Sequence, residues 1–199
     1  MGKTTLMCEL LRSLPGWEAI KTTRGHYRSC GKDPHTCCVS HLLADEPVIL
    51  SGRERTYASG KDTGRYWDAG AKNVHWMIAT DGQVESGIKL ALDRVRSEGV
   101  LVEGNSFTSF IDADYFIMVV RGNDSRIKGS ARRALARVSA FYLSDETDPV
   151  VLKDWSQRVG AGNLMIDRPI YNLKSLPRLI SDARRSVSPG CSLSAGRLG

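Results

Sequence analysis

Gly2, Lys3, Thr4 and Thr5 stand in an order that suits a polyphosphate. Gly-Lys-Thr-Thr ahead of an apolar helical pattern is the second half of a phosphate-binding loop, G-x-x-x-x-G-K-[ST]. Such a loop wraps phosphates with backbone N–H groups, and the helix N-terminus adds the positive end of its dipole. Gly2 lets the backbone come close, Lys3 reaches the β- and γ-phosphates, Thr4 offers its hydroxyl to Mg²⁺, and Thr5 meets the α-phosphate. The plainer alternative is a capped first turn, with Thr4 or Thr5 near the cap. The loop's first glycine and the strand ahead of it have no counterpart before Gly2, and an upstream strand is expected to supply them.

A second group of residues fits the same chemistry. Val100-Leu101-Val102-Glu103-Gly104 is an apolar run ending in a carboxylate. An acid at such a strand end holds Mg²⁺ or orients an attacking water; the alternative is a surface glutamate after a buried strand. Lys61-Asp62-Thr63 opens a helix, where Asp62 either caps it or senses Mg²⁺ or phosphate. Asp145, after a short apolar strand, is the one candidate for reading a guanine base, with turn capping as its alternative.

Cys30, Cys37, Cys38 and His41 lie in one polar loop and are candidate Zn²⁺ ligands, since zinc favours thiolate and imidazole. Adjacent Cys37 and Cys38 need a tight turn to face the same ion. A reactive thiol loop and a loop with incidental cysteines stay open as alternatives.

These groups need elements to hold them. Leu6, Leu10 and Leu14 form one helical stripe with Met7 and Leu11 beside it, and Pro15-Gly16 stops the helix. Strands are expected at 17–23, 47–50, 74–79, 99–104, 115–120, 140–143 and 163–166. Helices are expected at 61–71, 84–96, 127–137 and 173–185. Residues 24–40 and 51–60 read as polar loops. Short apolar strands alternating with helices predict an α/β fold, a P-loop NTPase-like three-layer sandwich with a mainly parallel sheet. Ligands in such sheets bind at the carboxyl ends of the strands. Residues 1–185 form the expected nucleotide-binding domain, and the Ser-, Gly- and Pro-rich stretch 186–199 reads as a disordered tail.

The order of these pieces resembles a known family. Gly-Lys-Thr-Thr is followed by an Ala-Ile-Lys strand, by Gly60-Lys61-Asp62-Thr63 with Asp68-Ala69-Gly70-Ala71, by Leu101-Val102-Glu103-Gly104, and by Asp167-Arg168-Pro169-Ile170. In this the chain resembles the molybdopterin-guanine dinucleotide biosynthesis adaptor protein B family, from Gly2 to about Ile180. The resemblance implies a GTP-binding P-loop fold, with a cytoplasmic role in attaching GMP to molybdopterin as a helper of the guanylyltransferase. It carries Gly2, Lys3, Thr4 and Thr5 over as phosphate and Mg²⁺ contacts, and Asp62 and Glu103 as metal or switch acids. The Cys-containing loop departs from the pattern.

Composition narrows the field. At 199 residues the chain suits one domain, with 41% hydrophobic and 25% charged residues. No apolar run approaches a membrane span and no secretory signal opens the sequence, so a cytoplasmic protein is expected. An odd count of five cysteines argues against structural disulfides. The net charge of +6 suits an anionic partner, which a nucleotide already is, and the Arg pairs lack interleaved aromatics that would indicate nucleic acid. The leading expectation is a GTP-binding protein with weak or partner-stimulated hydrolysis, a homodimer being left open. Its rivals are a metallochaperone using the Cys/His loop, a small-molecule kinase, and a binding module without catalysis.

Overall fold

The computed structural model describes residues 2–25, 39–121, 129–145, 156–157 and 168–187. Cys30, Cys37, Cys38, the expected strand 163–166 and residues 188–199 of the expected tail lie outside them.

The leucine stripe forms helix α1, Lys3–Ser13, and Gly16 turns the chain with φ +86°. Strand β1, Glu18–Arg24, follows, then β2, Val48–Ser51. Residues 53–56, expected as loop, form the short helix α2, Arg53–Thr56; its one turn is too brief to show a helical period in sequence. Helix α3, Asp62–Asp68, leads to β3, Val74–Ala79, and to α4, Val84–Leu92. Strand β4, Val100–Glu103, ends on the expected acid. Then come β5, Ile117–Val120, α5, Gly129–Ala134, β6, Ala140–Leu143, the short β7, Ile170–Tyr171, and α6, Leu176–Ser186.

The strands make two sheets among the described residues, ordered β2-β3-β1-β4 and β5-β6-β7. All ladders are parallel except β2 against β3. The pairing is mainly parallel, as the sequence reading expects, but it is divided between two sheets, the first of them mixed. β2 forms the antiparallel edge of the first sheet, and α2 and α3 lie in the connection that leads from it to β3.

Helices cover both faces of both sheets. Leu6 and Leu10 of α1, with Leu14 just after it, pack on Tyr142 and Tyr171 of the second sheet and on Leu179 of α6. Met7, Cys8 and Leu11 of the same helix pack on Ala19 and Val74 of the first sheet and on Tyr66 of α3. α1 thus bridges the two sheets with two adjacent stripes. On the opposite face α4 buries Ile88 and Ala91 against Ile20 and Met77, and α5 buries Ala131 and Ala134 against Met118 and Phe141. Among the described residues no helix is long and apolar enough to cross a membrane.

Candidate functional site

The first turn of α1 leaves its threonines free for other work. Gly2 is the N-cap residue, and its carbonyl accepts from the amides of Thr5 and Leu6 at 3.1 and 3.3 Å. No side chain caps the helix. The capped-turn reading of Thr4 and Thr5 is therefore corrected: the Thr4 hydroxyl donates to Glu103 Oε2 at 3.1 Å, and Thr5 Oγ1 accepts from the Arg65 guanidinium at 3.2 Å.

Glu103 is the centre of the cluster. It is 6% exposed, so the surface-glutamate reading is set aside. A carboxylate this deep is costly unless paired and hydrogen-bonded. The parallel ladder of β1 with β4 sets Lys21 opposite Glu103, and the ammonium lies 2.8 Å from Oε1. The Tyr66 hydroxyl of α3 donates to Oε2 alongside Thr4. Thr22 Oγ1 donates to the Glu103 carbonyl at 2.8 Å. That approach requires glycine next in the chain, because a Cβ on Gly104 would lie 1.9 Å from Thr22 Oγ1. The Glu-Gly pair seen in the sequence has this physical cause.

Asp62 completes the group. It is the first residue of α3, not its cap, and Lys61 holds the cap position without a side-chain bond. Its Oδ2 lies 2.6 Å from the Lys21 ammonium, which thus sits between two carboxylates. Burial pushes the Asp62 carboxyl upward. The bond and charge of Lys21, with Thr4 and Arg65, outweigh that and hold it below the usual aspartate range. Burial and the charge of Glu103 push the Tyr66 phenol far up, so it stays a neutral donor. Burial likewise raises the Cys8 thiol, which donates to the Arg65 carbonyl at 3.6 Å.

Thr4, Asp62 and Glu103 present hard oxygen donors, the kind Mg²⁺ takes one or two at a time alongside phosphate and water. Two carboxylates and a hydroxyl fit that requirement. Among the described residues no group of three His, Cys, Asp or Glu side chains gathers for a metal. His41 lies in a 3₁₀ turn, Ser40–Leu42, and is exposed. Lys3 is exposed at the same end of the sheet as Glu103. Asp145 follows β6, beyond β5, and joins none of the hydrogen bonds around Glu103 described above.

Lys21, Tyr66, Arg65 and Thr22 were not singled out by the sequence. Lys21 had one legible signal, a cation directly after the apolar pair Ala19-Ile20 inside a strand. Tyr66 had none, since an aromatic on a short helix reads as core.

A second polar chain lies at the amino ends of β1 and β3 and the carboxyl end of antiparallel β2. Ser51 Oγ is 2.8 Å from His75 Nδ1, and His75 Nε2 is 2.7 Å from Glu18 Oε2. The order of groups is that of a serine-hydrolase relay. Here His75 and Glu18 are each 1% exposed. The Arg96 amide donates to Glu18 Oε1 at 2.9 Å, and the Arg94 guanidinium reaches the Ile49 carbonyl at 2.6 Å. The chain ties three strands to the segment after α4 and leaves a substrate no approach to the imidazole.

No family model matches the chain, and no curated protein or solved structure matches it.

Proposed function

We propose that the chain binds GTP with Mg²⁺ at the N-terminus of α1 and hydrolyses it slowly. On the resemblance described above, it would serve the attachment of GMP to molybdopterin beside the guanylyltransferase, in a P-loop NTPase-like fold. One observation carries the nucleotide reading. The hydroxyl of Thr4 meets the strand-end carboxylate of Glu103 at 3.1 Å across 99 positions of sequence, at the carboxyl ends of parallel strands.

In this reading Gly2 and the first-turn amides face the phosphates, and the exposed Lys3 ammonium reaches the β- and γ-oxygens. Thr4, Glu103 and Asp62 would hold Mg²⁺, which when bound neutralises charge developing on the transferred phosphoryl group. Lys21 balances the charge of the two carboxylates. Arg65 holds Thr5 in place. Glu103 orients the attacking water, and Tyr66 fixes the carboxylate that does so. Asp145 is the candidate for guanine, and that assignment rests on its place after a late strand alone.

Calorimetric titration of GTP into wild type and Lys3→Ala tests the reading. Loss of one charge-assisted contact is worth about 1.5–3 kcal/mol, a weakening of roughly 10- to 150-fold. Equal affinity for the two proteins refutes the phosphate role of Lys3.

A further inference from the structure

Between the two sheets lies a slot of about 450 Å³ lined along its length by β4 and β5. Among the described residues β4 pairs only with β1, and β5 only with β6, so each offers an open edge to the slot. The ladder phase says which groups face it. The Glu18 amide donates to the Gly99 carbonyl, so alternate residues of β4 bond toward β1 and the N–H and C=O of Val100 and Val102 turn the other way. The Ala140 amide donates to the Phe116 carbonyl and the Ser144 amide to the Val120 carbonyl, which leaves those of Ile117 and Val119 facing the slot from β5.

The faces of the slot are apolar. Leu10 of α1 and Leu14 just after it close one side, and Leu92 and Phe107 close the other. Val100, Leu101 and Val102 are only half-buried, whereas Ala19, Ile20 and Val74 on the inner strands of that sheet are fully buried. A near-continuous apolar strand is the pattern of a parallel strand covered on both sides, yet among the described residues β4 has a neighbour on one side alone.

We propose that this slot receives one β-strand that leads through a short loop into Gly2. The direction follows from the geometry. Lys3, Glu103 and Gly104 gather at one end of the slot, so a chain entering α1 from it runs parallel to β4 and β5 and ends beside the Thr4–Glu103 pair. Its alternate side chains meet leucines of α1 on one face and Leu92 and Phe107 on the other, so the strand consists of β-branched and other apolar residues throughout. Its backbone satisfies Val100 and Val102 on one edge and Ile117 and Val119 on the other. The two sheets then become one, ordered β2-β3-β1-β4-strand-β5-β6-β7. This inference stands independently of whether the site takes a nucleotide.

The test extends the full chain ahead of Gly2 with a run of Val and Ile and a Gly-x-x-x-x loop, and follows amide exchange by NMR. The control carries Pro and Lys at alternate strand positions. The expected result is exchange slowed by about 100-fold at Val100, Val102, Ile117 and Val119, with the thermal midpoint raised by ~5 °C. Neither change appears in the control. Val102→Trp in the extended chain fills the slot and should return Ile117 and Val119 to fast exchange. Unchanged exchange in a folded extended chain overturns the proposal. So does protection of these amides in a dimer of the unextended chain, or by the same peptide added unlinked at equal concentration, because each assigns the slot to another occupant.

Discussion

Glu103 and Glu18 are buried glutamates on adjacent strands of one sheet, and they end up in opposite situations. Glu18 is sealed: its two oxygens meet the imidazole of His75 and the amide of Arg96, both fixed by the backbone around them. Glu103 takes its partners from three separate elements, α1, β1 and α3, and its neighbour Asp62 is 41% exposed. The amino-end chain has no room for another group. The carboxyl-end cluster holds two carboxylates, one lysine shared between them and a helix N-terminus at the surface. The difference teaches that burial of an acid does not mark a site by itself; a set of partners that can be exchanged for a ligand does.

The contrast should break most visibly in stability. Glu18→Ala leaves His75 and the Arg96 amide without their acceptor, and removing one member of such a buried pair costs about 3 kcal/mol. That corresponds to a fall in thermal midpoint of roughly 6–12 °C for a chain of this size, read by circular dichroism. GTP affinity of the folded fraction should not change. If the variant melts like wild type, the amino-end chain is not the fastening described here.

Glu103→Gln tests the other end. The amide keeps the shape and can still accept from Thr4 or Tyr66, but it loses the charge that faces Lys21. The expected outcome is a hydrolysis rate reduced about 100-fold, within the range ascribed to a positioned acid–base group, with GTP binding nearly kept. A folded variant with undiminished hydrolysis would leave Glu103 a fastening like Glu18.

Acid should distinguish the ends as well. Burial raises the Glu18 carboxyl, but the bonds from His75 and the Arg96 amide outweigh it and hold it below the ordinary glutamate range. Its contribution to stability is therefore complete above the unfolded value of ~4.3 and is lost as pH falls through the lower folded value. Asp62 is depressed in the same direction, though its exposure and solvent screening make its share small. Urea melts between pH 6 and pH 3 should show a flatter acid limb in Glu18→Gln than in wild type, and nearly the wild-type limb in Asp62→Asn.

The smallest effect expected is at Ser51. Ser51→Ala removes one hydrogen bond to His75 and should cost about 1 kcal/mol by urea denaturation, without touching nucleotide binding. A loss of activity with unchanged stability would instead revive the relay as chemistry.

Much of this was legible because its physics is local. The leucine spacing of α1 and the apolar run into Glu103 each declare their element within one window of sequence. Thr4 and Glu103 were matched because a phosphate loop calls for a strand-end acid. Strand order was not legible, and with it went Lys21 beside Glu103 and Ser51 beside His75, which are contacts made by the β2-β3-β1-β4 order. Tyr66 was missed because its hydroxyl reaches 37 positions along the chain to an acid on another element. Two-residue β7 and one-turn α2 are too short for any periodicity.

The most direct measurement is the map of amide chemical-shift changes on adding GTP and Mg²⁺ to the 199-residue chain. The account predicts changes concentrated at Gly2, Lys3, Thr4, Lys21, Asp62 and Glu103, with Glu18, Ser51 and His75 silent. Changes centred on Ser51 and His75, or no change anywhere at millimolar nucleotide, would contradict it.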